Sequence, residues 1–146
     1  MKDIMLRITG KTLSAYPKNP DDPENKNSTI EFLTHGQMAS RGGITKILYD
    51  ETDISGMAGC KTQIIISGQK LKMQRTGKDL PHGTTMEFEE GKRYKGLYET
   101  PYGSVTMEIL TNAVNVDNPE KISVDYSLSL QGILESRNAL EIEVIQ

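Results

Sequence analysis

Glu51, Arg75 and Glu99 are the residues of this 146-residue sequence whose types could do chemistry together. Two carboxylates can exchange protons with a substrate, and a guanidinium can hold an anionic group in its planar fork. What singles these three out is phase. Glu51 continues a period-two run through Ile47 and Tyr49, and Arg75 continues one through Leu71 and Met73. Extending the phase of Val105, Met107 and Ile109 backward through Gly103 and Pro101 reaches Glu99 and Leu97. On that reading all three charges face inward. A buried charge is costly unless paired, so Arg75 is expected to be held by one or both carboxylates, in bidentate fashion. The cluster then reads in two ways. It is the polar floor of a ligand cavity, with Tyr49, Met73 and Met107 as further lining and Arg75 for an anionic head group, or it is a structural plug or a cluster wetted at a barrel mouth.

Other stretches that look chemical fail on spacing. Ser55-Gly56-Met57-Ala58-Gly59-Cys60-Lys61-Thr62 suggests a phosphate loop. However, Cys60 precedes the lysine, only two residues separate the glycines, and a strand-like run follows where a helix is required. His35 and His82 have no partner at ligand spacing, so no metal is expected, and no cofactor motif is present. A G-x-S-x-G elbow is missing. Cys60, beside Lys61 on a strand, reads as a small half-buried filler, because adjacent strand side chains point apart. Lys92-Arg93-Tyr94-Lys95 mixes base and ring as single-strand binders do, but reads as a solvated turn in an acidic chain.

The elements that must position Glu51, Arg75 and Glu99 are strands. Ile122, Val124, Tyr126, Leu128 and Leu130 alternate with Ser123, Asp125, Ser127, Ser129 and Gln131. The rhythm recurs at Ile4, Leu6 and Ile8, at Ile64 and Ile66, at Met86 and Phe88, and at Leu140, Ile142 and Val144. Turn signals at Ser67-Gly68-Gln69, Thr76-Gly77-Lys78, Glu90-Gly91-Lys92 and Asp117-Asn118-Pro119 separate the runs. These features predict an all-β chain: a single antiparallel up-and-down closed β-barrel of eight to ten strands spanning residues 1–146. A barrel is preferred to a sandwich because closure removes exposed edges. Residues 16–28, with three prolines and no aliphatic side chain, are expected to form a mobile loop. The aromatic-rich stretch Lys95-Gly96-Leu97-Tyr98-Glu99-Thr100-Pro101-Tyr102-Gly103 is expected to bend or bulge one strand, with Glu99 its only candidate for chemistry.

A formal charge of −3 disfavours nucleic acid and anionic membranes as partners. One cysteine permits no intrachain disulfide, and neither a secretory leader nor a run of about 20 apolar residues is present, which predicts a cytoplasmic protein.

The runs LYDETDISGMAGCKT, LKMQRTG, LYETPYGSVTMEI and ISVDYSLSLQG, in this order and spacing, resemble the YwiB-like family of bacterial proteins, a domain of unknown function. The most specific pieces are Tyr98 to Gly103 and Tyr49-Asp50-Glu51 with Gly56-Met57. The resemblance implies a calycin-type, lipocalin-like β-barrel and carries no activity. The chain has no tryptophan, so it lacks the G-x-W of lipocalins proper. Three functions stay open: a barrel binding a small anionic or amphipathic molecule, a non-catalytic structural or interaction barrel with a solid core, and an enzyme using Glu51 and Glu99 as acid and base. Of these, catalysis is the least favoured.

Overall fold

The computed structural model describes residues 1–16, 29–52, 59–78, 80–100, 103–118, 120–131 and 134–145. Most of the loop expected over 16–28 lies outside them, as do residues 55–58 of the apparent phosphate loop. Ten strands follow one another: β1 (Lys2–Tyr16), β2 (Thr29–Arg41), β3 (Ile44–Asp50), β4 (Cys60–Ser67), β5 (Lys70–Gly77), β6 (Leu80–Glu89), β7 (Arg93–Thr100), β8 (Gly103–Asp117), β9 (Lys121–Leu130) and β10 (Leu134–Val144). They form one antiparallel sheet in the order β6-β5-β4-β3-β2-β1-β10-β9-β8-β7. Chain neighbours are sheet neighbours, and β1 closes on β10 from Leu6↔Val144 to Tyr16↔Glu135. The exception is β6 and β7, the two ends of the order, which approach each other and make the barrel nearly closed. No ladder joins them among the described residues.

Alternation dictates which residues fill this barrel. Leu6, Ile47, Ile64, Leu71, Ile109, Ile122 and Ile142 are buried almost completely, each followed by a more exposed neighbour. Such a face is what drives the sheet to curl, since apolar area removed from water contributes about 25 cal/mol per Å². Cys60 is half-buried at the start of β4, as its filler role requires. Of Lys92 to Lys95, Arg93 and Lys95 stand exposed on β7, and Arg93 pairs with Glu108 at 2.8 Å, while Tyr94 packs against the core.

The aromatic-rich stretch departs from expectation. Rather than bending a single strand, it is the end of β7 and the start of β8, with Thr100 paired to Gly103. Residues that oppose each other across this turn have numbers summing to 203, an odd total: Gly96↔Met107, Tyr98↔Val105, Glu99↔Ser104. Same-face residues on the two strands therefore have opposite parity, and period two cannot be carried through the turn unchanged. Tyr94 and Tyr98 point to the core beside Ile109 and Val105, whereas Leu97, expected inside, is 61% exposed. Glu99 is buried for a different reason, given below.

Two irregularities matter energetically. The β5–β6 ladder jumps from Arg75↔Thr84 to Gly77↔Leu80, so residues 81–83 bulge opposite Thr76. Gly83 in this bulge has φ +72°, and a Cβ there would stand 2.7 Å from the Arg75 carbonyl oxygen. Gly83→Ala should therefore cost about 2 kcal/mol, read as a lower urea midpoint at unchanged slope. At the other irregularity, between Thr111 and Ala113, the Thr111 hydroxyl is buried without a hydrogen-bond partner among the described residues. Thr111→Val keeps the shape and removes an unsatisfied hydroxyl, so it should raise stability by about 1 kcal/mol. A thermal melt checks this, and a lowered midpoint would mean that the hydroxyl is satisfied in solution.

Candidate functional site

The apolar interior of the barrel becomes more polar and opens into a hollow toward one end. Moving toward the hollow end, Ile47 gives way to Tyr49 and Glu51, Leu71 to Met73 and Arg75, and Val124 to Tyr126 and Leu128. There the walls border a half-open cavity of about 240 Å³. This is the end where β1, β3, β5, β7 and β9 finish. Ile30, partly exposed, stands at its rim.

Its polar floor is built by three adjacent strands. Tyr49 on β3, Thr62 on β4 and Arg75 on β5 lie in consecutive register, Tyr49↔Thr62 and Thr62↔Arg75. Directly opposed residues share a face, so three side chains converge. Glu51 follows Tyr49 at the next inward position, held by its amide bond to the Cys60 carbonyl at 2.9 Å. The Thr62 hydroxyl donates to Glu51 Oε1 at 2.6 Å. Arg75 reaches the same oxygen through Nη2 at 3.4 Å and Thr62 Oγ1 through Nε at 3.4 Å.

The expected bidentate pair is thus replaced by a triangle through Thr62, because both guanidinium bonds go to different residues and both are long for hydrogen bonds. Only 2% of the Glu51 side chain is exposed, against 20% of Arg75. Burial and the Glu51 charge push the Tyr49 phenol well above its ordinary pKa, and Arg75 and Thr62 oppose the shift only in part. Tyr49 therefore remains a neutral donor. Burial likewise raises the Tyr126 phenol, with Arg75 opposing and Tyr98 adding to the shift.

Of the residues singled out from the sequence, Tyr49, Glu51, Met73 and Arg75 all line this cavity. Met107 is fully buried on β8 but stands apart from its walls. Glu99 is also buried and also stands apart. Its Oε1 accepts the Gly83 amide at 2.8 Å, and its own amide donates to the Thr84 hydroxyl at 3.1 Å. Gly83 and Thr84 belong to β6, so Glu99 stitches the seam that no ladder closes among the described residues. The bulge before Thr84 aims the Gly83 N–H across the gap. Glu51 and Glu99 are hence not brought together on one cavity.

Residues the sequence reading passed over complete the site. Thr62 was readable from alternation, two positions before Ile64. Tyr98 was hidden by the inverted phase at the β7–β8 turn. Phe88, Tyr126 and Leu140 were legible as inward residues, but neither they nor Phe32 carried a sign that they border a void. Among the described residues no group of His, Cys, Asp and Glu could hold a metal, and no helix is long and apolar enough to cross a membrane.

The ywiB protein from Bacillus subtilis has a solved structure that resembles this one over 100% of the present chain and 95% of its own, with a TM-score of 0.65 at 16% identity. At that identity the likeness speaks to the barrel alone. No curated protein matches the chain. A family described as a domain of unknown function, DUF1934, matches residues 18–142. With the barrel and most of the sequence accounted for in this way, the chain belongs to the DUF1934 family.

Proposed function

We propose that this protein binds a small amphipathic molecule carrying a negative group, with the apolar part in the barrel and the charge on Arg75. The single observation behind this reading is the state of the guanidinium. Among the described residues it makes two long bonds, to Thr62 and Glu51, while bordering a cavity whose other walls are mostly apolar. A cation with five donors and only two in use has capacity for an oxyanion, and an apolar surround strengthens that contact. A cavity of about 240 Å³ falls just below the roughly 300 to 1,000 Å³ range of ordinary ligand sites, which suits a small ligand. Water around the barrel suits its outer face, where Arg7 meets Glu31 and Glu143, and Lys70 meets Glu89, and a cytoplasmic location belongs to the same reading.

The single continuous cluster of buried apolar side chains favours a second reading, a non-catalytic barrel whose core is purely structural. Native mass spectrometry of freshly purified protein separates the two. A small adduct that disappears in Arg75→Lys, which keeps the charge but not the fork, supports binding. A bare mass, together with an unmoved melting temperature in millimolar short-chain acids, would leave the structural barrel standing.

A further inference from the structure

The reading of the cavity as a site for an anionic amphiphile can be taken further, to the shape of the apolar part. The chain is poor in rings, with six tyrosines, two phenylalanines and no tryptophan among 146 residues. Five of those eight rings, Phe32, Tyr49, Phe88, Tyr98 and Tyr126, border this one cavity. They arrive on five different strands, β2, β3, β6, β7 and β9, so no single amphipathic element accounts for the concentration. Phe88 and Tyr126 already form a tilted pair, centroids 5.0 Å apart at 59°, which offers a third ring both an edge and a face. Met73 and Met86 add thioethers, which favour ring edges and adapt their shape to a flat occupant.

Size and charge narrow the choice. The cavity of about 240 Å³ has room for one ring with a short acid. Arg75 stands two strands from Tyr49 on the same face, in register through Thr62, and lines the cavity together with Tyr98 and Tyr126, so a ring seated among these side chains has the guanidinium on the adjoining wall to receive an attached carboxylate. We infer that the cavity is a site for a monocyclic aromatic carboxylate, its ring packed against Phe88, Tyr98 and Tyr126 and its acid group received by the Arg75 guanidinium. This rests on the binding function proposed above.

Titration of the full chain with benzoate, cyclohexanecarboxylate, hexanoate and benzyl alcohol tests the inference, read by calorimetry and by the shift in melting temperature. Benzoate should bind at least tenfold more tightly than cyclohexanecarboxylate, which has the same acid and a similar volume but no flat face. Benzyl alcohol, with the ring and no charge, should bind at least tenfold more weakly than benzoate. Arg75→Lys should weaken benzoate about tenfold and leave benzyl alcohol unchanged. Equal binding of the three acids would overturn the aromatic specificity and leave the anionic binding function intact. Tight benzyl alcohol binding would overturn the role of Arg75. Should no acid bind, and native mass spectrometry show no adduct, both the inference and the function beneath it fail.

Discussion

Arg75→Met is expected to lower the unfolding free energy by about 3 kcal/mol, with the melting temperature falling roughly 10 °C. The cause lies in what the substitution leaves behind. Glu51 is almost wholly enclosed, with 2% of its side chain exposed, and loses its only cation among the described residues. Breaking a buried pair from one side costs about 3 to 5 kcal/mol, and the low end applies because Thr62 still donates to Glu51 Oε1 at 2.6 Å. The reverse substitution is milder. Glu51→Gln keeps an acceptor for Thr62 and leaves Arg75, 20% exposed, close enough to solvent to be hydrated, so a loss of about 1 kcal/mol is expected. Combining Arg75→Met with Glu51→Gln should recover most of the stability lost in Arg75→Met alone. Urea titrations of the three variants measure the asymmetry. If Arg75→Met costs no more than Glu51→Gln, Glu51 does not depend on the guanidinium and the polar floor is held in another way.

The second large effect is expected at the seam. Glu99→Ala removes the acceptor of the Gly83 amide, a charge-assisted bond of 2.8 Å, and should cost about 2 kcal/mol. The location of the damage is the more informative readout. With β6 and β7 released from each other, the amides of Gly83 and Glu99 should exchange with solvent far faster, while those of the β1–β10 ladder stay protected until global unfolding. Glu99→Gln retains an oxygen for Gly83 and should keep most of the protection. Uniform loss of protection over the whole sheet would show instead that the seam has no local stability of its own.

How these sites were and were not legible follows from what alternation encodes. A one-residue slip moves every side chain to the other face, so wherever one face is dry the pattern fixes the phase, as it did for Tyr49 to Glu51 and for Leu71 to Arg75. Both residues were placed inside by phase alone, and both are there. Glu99 was placed inside by a phase that is wrong, since the β7–β8 pairing inverts parity between Thr100 and Gly103. It is nevertheless buried, because it fills a gap between two strands that only the closing of the sheet creates. No local pattern records a gap of that kind. The same holds for Thr62. Its inward position was readable, but the division of Arg75 between a hydroxyl and a carboxylate depends on distances of tenths of an ångström. The sequence left open whether a cavity or a plug fills that end, because a void is the absence of volume across several strands, and no one of them carries it in its own residues.

The pairing of β1 with β10 also fixes when the barrel can close along that ladder as the chain is synthesised. The first strand made receives one neighbour, β2, soon after it emerges, but its other edge waits for residues 134–144. At roughly 5 to 20 residues per second, that wait is on the order of ten seconds on the ribosome. Meanwhile a 15-residue strand offers one row of open amides and carbonyls to any passing chain. The side chains it shows outward in that interval include the charged Asp3, Arg7 and Lys11, as suits an edge that must refuse strangers until β10 arrives.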